Sequence, residues 1–201
     1  MKYDTALSWE DQIPEPDSPH HTSNVLRVFT ETLERTQNTQ LLDLGPVCGE
    51  NINFFGMRAK RLFVCDMFLR LDLAHRLGLP TAHVWQHLEY PPLSFDGIML
   101  WGLIDYLDDG EVRKLLDLCN TMLKPSGTLL AVFQDEFNVS STTHSYVVGE
   151  NFEVYLRPQP HLSLSLRRRN NRERLGILSP FTPIKSYVSR NGITEILLKC
   201  R

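Results

Sequence analysis

One stretch of the sequence places glycines and a carboxylate at a chemically informative spacing. LLDLGPVCGEN, residues 41–51, is a short apolar run that leads into a turn with Gly45 and Gly49, and a helical pattern follows. Glycines let the backbone approach a ligand closely and adopt positive φ, and a helix start offers free N–H groups. Asp66 follows Gly45 by 21 residues, at the predicted end of the next strand, where an acid typically accepts hydrogen bonds from ribose hydroxyls. Together these features predict a site for an adenosine-containing ligand.

The elements that must position these residues alternate between strand and helix patterns. The spacing between successive strands is near 25 residues, which is typical of βαβ units, a parallel sheet and helices on both of its faces. Strands are predicted at 41–45, 61–66, 81–88, 95–102 and 128–133. Helices are predicted from about Thr22, with Ser23 or Thr22 as the cap, and at 50–59, 67–78 and 108–123.

The C-terminal third follows a different pattern. Residues 183–190 and 193–200 are predicted strands joined by Asn191-Gly192, a strong hairpin signal because both turn positions need positive φ. Residues 145–156 alternate like a second hairpin, and residues 165–178 are a predicted helix. The sequence therefore predicts a mostly parallel α/β sheet that closes with an antiparallel hairpin.

Composition limits the class of protein. The chain has 201 residues, 42% hydrophobic and 22% charged, with a net charge of -3. This length suits about one globular domain. The weak acidity argues against a general binder of polyanions, so nucleic acid is an unlikely partner.

Cysteine usage and the N-terminus indicate the compartment. The four cysteines stand alone without metal-ligand spacing, which predicts free thiols in a reducing cytosol and no metal site. No run approaches the ~20 apolar residues of a membrane helix. The first 19 residues carry five acidic side chains and three prolines, unlike a secretory signal. We therefore expect a cytoplasmic protein without a membrane span.

The order of the motifs resembles the class I S-adenosylmethionine-dependent methyltransferases over residues 22–201. LLDLGPVCG resembles the first motif of that family and RLFVCD the second strand with its ribose-binding acid. HLEYPPLSFDGIMLWGLIDYL resembles the third and fourth motifs, and MLKPSGTLLAVF the turn and fifth strand. The resemblance implies a Rossmann-like, doubly wound, mostly parallel seven-stranded sheet with an antiparallel C-terminal hairpin. It also implies S-adenosylmethionine as cofactor and methyl transfer to a small-molecule acceptor.

The resemblance assigns roles to residues by position. Asp43 would order the loop and approach the methionine amino group of the cofactor, and Asp66 would hold the ribose. Trp101 and Gly102 would lie near the transferable methyl. The further implied cofactor contacts are the loop residues Gly45, Pro46 and Gly49, and, around the adenine, Met67, His87 and Leu88.

The implied organisation is a single methyltransferase-like domain, residues 1–201. Residues 1–39 form an N-terminal lead-in and cap helix, and residues 40–133 the cofactor-binding half. Residues 134–179 are a variable region that would contact substrate, and residues 180–201 the closing hairpin. The acceptor, the methylated atom and the oligomeric state do not follow from the sequence.

Two departures from the family pattern leave other functions open. Val47 stands where the family commonly has a middle glycine, and His87 where an Asp is common. They motivate the alternative of a degenerate fold member that acts as a binding or scaffold module without catalysis. A nicotinamide-dependent dehydrogenase also fits the spacing from Gly45 to Asp66, but the loop lacks G-x-G-x-x-G.

A sulfonium methyl donor is already activated, so the protein must mainly hold donor and acceptor in line. No catalytic residue is therefore identified from the sequence. If the acceptor needs a general base, the candidates are His20, His21, His144 and Glu136. The arginines at 167–169, 172 and 174 form either a solvated helix face or a surface for an anionic partner or substrate.

Overall fold

The structure, a computed structural model, describes residues 20–134, 142–190 and 192–200. The described strands are β1 (His20–Thr22), β2 (Gln40–Asp43), β3 (Arg61–Val64), β4 (Phe95–Met99), β5 (Leu123–Gln134), β6 (His144–Val148), β7 (Glu153–Pro158), β8 (Thr182–Val188) and β9 (Ile193–Lys199). The described helices are α1 (Asn24–Glu34), α2 (Gly49–Gly56), α3 (Met67–Arg76), α4 (Ala82–Trp85), α5 (Asp109–Met122) and α6 (Asn171–Ile177).

Six of these strands form the central mixed sheet, in the order β3-β2-β4-β5-β9-β8. The first four are parallel, while β9 pairs antiparallel with both β5 and β8. All five residues of β4 are buried, so its apolar residues do not alternate with exposed ones, and its one charged residue, Asp96, pairs with Lys124 at 2.7 Å. Asn191 lies outside the described residues, so the predicted Asn-Gly turn between β8 and β9 stays a prediction.

The predicted third strand at residues 81–88 is wrong, because this segment is helical. It forms α4 and a 3-10 turn at Gln86–Leu88. Its apolar residues Val84, Trp85 and Leu88 recur at helical rather than strand spacing, and all three are buried against the core. The described sheet consequently has six strands rather than the seven that the resemblance implied.

The absence of a strand beyond β3 decides where α3 packs. The chain moves outward from β2 to β3 and then returns across β2 to β4. Right-handed crossovers in opposite directions place their helices on opposite faces of a sheet. Accordingly, Phe54 and Phe55 of α2 belong to one core cluster, and Met67 and Phe68 of α3 to the other.

A second, three-stranded sheet covers the face of the central sheet that carries α1 and α2. Its order is β1-β7-β6, with both pairings antiparallel. The alternating residues 145–156 form β6 and β7, with Tyr146 paired to Leu156. Tyr146, Val148 and Val154 pack into the same cluster as α1 and α2.

The helix predicted at residues 165–178 is shorter in the structure. It begins only after Asn170, whose side chain accepts a hydrogen bond from the Glu173 N–H at 3.0 Å. The Glu173 carboxylate in turn accepts from the Asn170 N–H at 2.8 Å, which completes a capping box. This reciprocal cap sets the start of α6 and leaves residues 165–169 as an irregular segment.

Two further findings concern the described ranges as a whole. No helix there is both long enough and apolar enough to cross a membrane. Within the same ranges, no three His, Cys, Asp or Glu side chains gather closely enough to hold a metal ion. Cys48, Cys65, Cys119 and Cys200 are free thiols.

We predict that Ser23→Ala destabilises the protein by about 3 kcal/mol, because one hydroxyl serves two partners. Ser23 Oγ accepts from the Leu26 N–H at 2.8 Å as the N-cap of α1. It also donates to the buried Glu195 carboxyl group at 2.8 Å. Chemical denaturation measures the loss.

The matched control is Ser186→Ala on the exposed side of β8, which should change the unfolding free energy by less than about 0.5 kcal/mol. Equal effects of the two substitutions would contradict this account.

Candidate active site

The loop after β2 starts from a buried carboxyl group at the carboxyl edge of the sheet. Asp43 is 2% exposed, and its Oδ1 accepts a hydrogen bond from the Gly45 N–H at 2.8 Å. The Asp43 carbonyl accepts from the Cys65 N–H at 2.8 Å, and the Leu44 N–H donates to the Met99 carbonyl at 3.1 Å. The ends of β2, β3 and β4 are thereby held together around this side chain.

Gly45 is required for space rather than for its backbone angles. A Cβ at this position would lie 2.6 Å from Trp101 Cδ1, whereas at Gly49 a Cβ would meet nothing within 4 Å. Neither glycine has a positive φ, so the expectation that they supply one is wrong. Val47 also lies outside the left-handed region, and its side chain is 63% exposed. The missing middle glycine therefore imposes no backbone strain on this loop.

Asp66 joins the loop to the next helix. One carboxylate oxygen accepts from the Leu69 N–H at 2.9 Å and caps α3. The other accepts from the Val47 N–H at 3.1 Å. Asp66 is half-buried, and each carboxylate oxygen has a further lone pair available to a ligand hydroxyl.

Burial makes Asp43 an unusual acid. Desolvation raises its pKa to about 7, with a smaller increase from the nearby Asp66. The Gly45 N–H and the indole of Trp101 both lower the pKa but do not compensate for burial. The indole exerts this effect by proximity, since Trp101 Nε1 is buried without a partner in hydrogen-bond geometry. Asp43 is thus poised to lose a proton when a cation approaches it.

The turn after β4 carries backbone strain beside this loop. Trp101 has a φ of 45° and Gly102 a φ of 78°, both left-handed. Such a conformation is costly for a tryptophan, and strain of this kind concentrates at functional sites. The Trp101 ring is held by Tyr146, which stacks on it at 6.1 Å between centroids and 23° between planes. A Cβ at Gly102 would lie 3.1 Å from the same tyrosine ring.

The second sheet is attached to the start of α2 by polar contacts that sequence reasoning missed. The Asn51 side chain donates to the Tyr146 carbonyl at 2.8 Å and accepts from the Val148 N–H at 2.8 Å. One residue earlier, Glu50 pairs with Arg157 of β7, and this partner is the main reason that the pKa of Glu50 falls to about 2. The sequence contains one signal of these contacts, because Asn51 is a polar residue on the apolar face of α2.

The implied adenine contacts are placed unevenly. Met67 and Leu88 are buried in the core, at 0% and 1% exposure. His87 has an exposed side chain on the 3-10 turn rather than at a strand end. Its carbonyl accepts from the Cys65 thiol at 3.7 Å, so the turn does reach the end of β3. Pro46 is buried within the loop. The roles of these four residues stay predictions.

The candidate bases have different surroundings. His21 Nε2 lies 3.3 Å from Glu195 Oε1 without hydrogen-bond geometry, and the His21 ring stacks on Tyr187. His20 is exposed, and its ring lies 6.3 Å from that of Tyr155. Desolvation lowers the pKa of His144 at the start of β6, which favours its neutral form. Glu136 lies outside the described residues.

The sheet order explains why Asp43, Gly45 and Trp101 lie close together. The chain leaves β2 toward α2 on one face of the sheet and leaves β4 toward α5 on the other. Neighbouring strands whose connections diverge in this way open a crevice at their carboxyl ends, where open α/β sheets bind ligands. Asp43 and Gly45 stand on one side of this switch point, and Trp101 stands on the other.

Comparison with known proteins agrees with this architecture. No family model matches the chain, and no curated protein matches it. Among solved structures, an S-adenosylmethionine-dependent methyltransferase from Mesorhizobium loti superimposes with a TM-score of 0.54 at 12% identity, over 86% of this chain and 96% of that one. The chain has the fold of the class I S-adenosylmethionine-dependent methyltransferases.

Two other similar structures are methyltransferases by name, and one of them was solved with a small molecule bound. The 1,6-didemethyltoxoflavin-N1-methyltransferase of Burkholderia thailandensis, solved with 1,6-didemethyltoxoflavin and S-adenosylhomocysteine, has a TM-score of 0.51 at 16% identity, over 87% of this chain and 77% of that one. The N-methyltransferase NodS of Bradyrhizobium japonicum has a TM-score of 0.51 at 15% identity, over 87% and 93%.

We predict that Gly45→Ala destabilises the protein by roughly 1–3 kcal/mol, because the new methyl group overlaps the fixed Trp101 ring. Gly49→Ala is the matched control, since its methyl group enters open space at the start of α2. Thermal unfolding of the two variants measures the difference. If Gly45→Ala melts at the temperature of Gly49→Ala, the close approach of the loop to Trp101 is not a constraint on the fold.

Proposed function

We propose that this protein is an S-adenosylmethionine-dependent methyltransferase that methylates a small-molecule acceptor by in-line displacement. The observation that carries the proposal is Asp43, a buried carboxyl group beneath a tight loop at the switch point of a methyltransferase-like sheet. The alternative of a scaffold without catalysis rested on Val47 and His87. Val47 proves compatible with an ordinary loop conformation, which weakens that alternative.

The residues present suit the proposed cofactor at its charged end. Trp101 Nε1 is an orphaned buried donor beside Asp43, and Cys48 at the start of α2 makes no side-chain cap. Asp43 is the acid that would receive the ammonium group of the cofactor's amino-acid part. The loop residues Gly45, Pro46 and Gly49 would surround that part.

The nucleoside end would extend toward the ends of β3 and α4. Asp66 would accept from the ribose hydroxyls with the lone pairs left after it has bonded Leu69 and Val47. Met67, His87 and Leu88 would border the adenine. We assign His87 this role through its position beside Cys65 rather than through any contact of its ring.

The bound cofactor supplies a methyl group on a sulfonium, which needs no activation by the protein. The task of the chain is then to exclude water and to hold the acceptor in line. Trp101 and Gly102 would border the reacting methyl, and the stacked ring of Tyr146 keeps Trp101 in its strained position. An aromatic face beside a positive sulfonium is electrostatically favourable.

The division of the chain among the cofactor half, the sheet and a substrate region supports a small acceptor. Within the proposed single domain, residues 40–133 build the cofactor half and residues 180–201 complete the sheet. The remaining stretch, 134–179, would choose the substrate. It contributes β6, β7 and α6, of which β6 accepts a hydrogen bond from Asn51 of α2, the helix that follows the loop. The free thiols are compatible with the reducing cytoplasm that we assign to the protein.

Binding of S-adenosylhomocysteine to Asp66→Ser tests the proposed function. Serine retains the cap on α3 but removes both ribose-binding oxygens, so we expect affinity to fall by at least about tenfold in calorimetry, the loss of a hydrogen bond to a charged group. Asp108→Ser is the matched control, because Asp108 caps α5 in the same manner. We expect it to bind within about twofold of the wild type. Wild-type protein that releases no heat with S-adenosylhomocysteine or S-adenosylmethionine would refute the proposed function.

The raised pKa of Asp43 predicts that cofactor affinity depends on pH. The ammonium group requires the carboxylate form, which is the minor form below a pKa of about 7. Affinity for S-adenosylhomocysteine should therefore rise roughly tenfold between pH 6 and pH 8 and level off above that. Asp43→Asn should bind weakly and without this dependence. A slope that persists in Asp43→Asn would assign it to another group.

The stability of Asp43→Asn distinguishes weak binding from misfolding. Because the folded pKa lies above the unfolded value of 3.8, folded protein retains a proton that unfolded protein releases between about pH 4 and pH 7. Stability therefore falls as pH rises through that window. Asp43→Asn avoids this cost, so it should melt no lower than the wild type at pH 8.

A further inference from the structure

A groove of about 450 Å³ lies between α5, α6 and the irregular segment before α6. It is lined by Arg113, Arg167, Arg168 and Arg169, together with Asp109 and Glu173. We call it the arginine groove. The charge of this lining is opposite in sign to the net charge of -3 on the whole chain.

Arg169 acts as the anchor of the groove rather than as an available cation. Its side chain is 6% exposed and donates to the Ile104 carbonyl at 2.8 Å and to the Asp109 carboxylate at 2.9 Å. These contacts attach the segment before α6 to the turn that follows β4. Arg167 and Arg168 are the neighbours of this anchor in the chain, which brings both to the rim of the groove.

The two acids of the groove are already engaged. Asp109 is paired with Arg169, and Glu173 forms the capping box with Asn170. The exposed side chains of Arg167 and Arg168 have no acidic partner among the described residues. Arg113 uses only its Nε–H, in a bond to the Asp109 carbonyl at 3.1 Å. Arg113, Arg167 and Arg168 therefore line one groove with guanidinium donors that no described residue uses.

The four arginines and two acids of the lining leave a net charge of +2, and an anion in the groove relieves the repulsion among the excess positive charges. Guanidinium groups match the oxygens of a phosphoryl group in geometry, and three of them exceed what one carboxylate can use. The volume of the groove is in the range of small-molecule sites. We propose that the arginine groove binds a small molecule through a phosphoryl group.

The position of the groove relates it to the candidate active site. The Arg167 N–H donates to the Asp105 carbonyl at 2.6 Å, and Asp105 belongs to the short 3-10 turn directly after Trp101 and Gly102. Arg167 also lines a neighbouring cavity of about 240 Å³ with Tyr106 and His75. The phosphoryl site is defined by its own residues and does not depend on methyl transfer.

Calorimetric titration of the full chain with inorganic pyrophosphate, without any methyl donor, tests the proposal. We expect saturable binding to the wild type. The double variant Arg167→Gln, Arg168→Gln should bind at least roughly tenfold more weakly, the effect of losing charge-assisted hydrogen bonds. Its melting temperature should match the wild type, since neither guanidinium has an ion-pair partner among the described residues. Binding of S-adenosylhomocysteine to the same preparations is measured separately, so that failure of either site is recognised independently.

The matched control is Arg172→Gln, which removes the same charge from exposed α6 outside the groove. It should bind pyrophosphate within about twofold of the wild type. An equal loss in this control would mean a diffuse positive surface and would overturn the proposal. So would the absence of binding at roughly 10 mM pyrophosphate. If tricarballylate, a tricarboxylate, binds as tightly as pyrophosphate, the groove is not specific for a phosphoryl group. If a single-stranded oligonucleotide binds more tightly than pyrophosphate, the ligand is not a small molecule.

Discussion

The burial of Asp43 beneath the Gly45 loop is the constraint around which the candidate site is organised. Its side chain orders the loop through the Gly45 N–H, and its carbonyl receives the Cys65 N–H from the neighbouring strand. The loop passes so close to Trp101 that a single methyl group at position 45 would not fit. Burial also raises the pKa of Asp43 to about 7, so the ionised carboxylate costs the fold stability. A cationic ligand would compensate that cost, which links folding, loop geometry and binding through one side chain.

The shape of the sheet controls where the site opens. Because no described strand lies beyond β3, the chain crosses back over β2 at once, and α3 packs on the face opposite α2. The switch in direction between β2 and β4 then places the Gly45 loop and the strained Trp101 turn on the two sides of one crevice. The second sheet is joined to α2 beside these turns through Asn51, whose side chain binds two backbone groups of β6. Fold and site are therefore consequences of the same crossover.

The stretch of residues 142–179 holds Trp101 in place and supplies most of the lining of the arginine groove. Its first part forms β6 and β7 and fixes Trp101 through Tyr146. Its last part holds the arginine groove, in which Arg169 is a structural anchor and its two neighbours are available cations. The five arginines look equivalent in the sequence, but their contacts show that some anchor the structure and others are exposed. Arg174 is a further buried member, 3% exposed, which donates to the Gln134 carbonyl at 2.8 Å.

Local pattern alone was enough to predict four of the parallel strands, the loop with Asp43 and Gly45, and the acid at the end of β3. Apolar runs, glycine turns and caps such as Ser23 depend on neighbouring residues, so they can be recognised without a structure. The helix at residues 81–88 was missed because the segment is short and its three buried residues, Val84, Trp85 and Leu88, are too few for their spacing to decide the element. The contact of Asn51 with Tyr146 joins residues 95 apart, and the contact of Gly45 with Trp101 joins the turns after two different strands. Such long-range contacts leave no periodic signature. Packing and the sheet order therefore decided the pKa of Asp43, the need for glycine at position 45 and the pairing of each arginine.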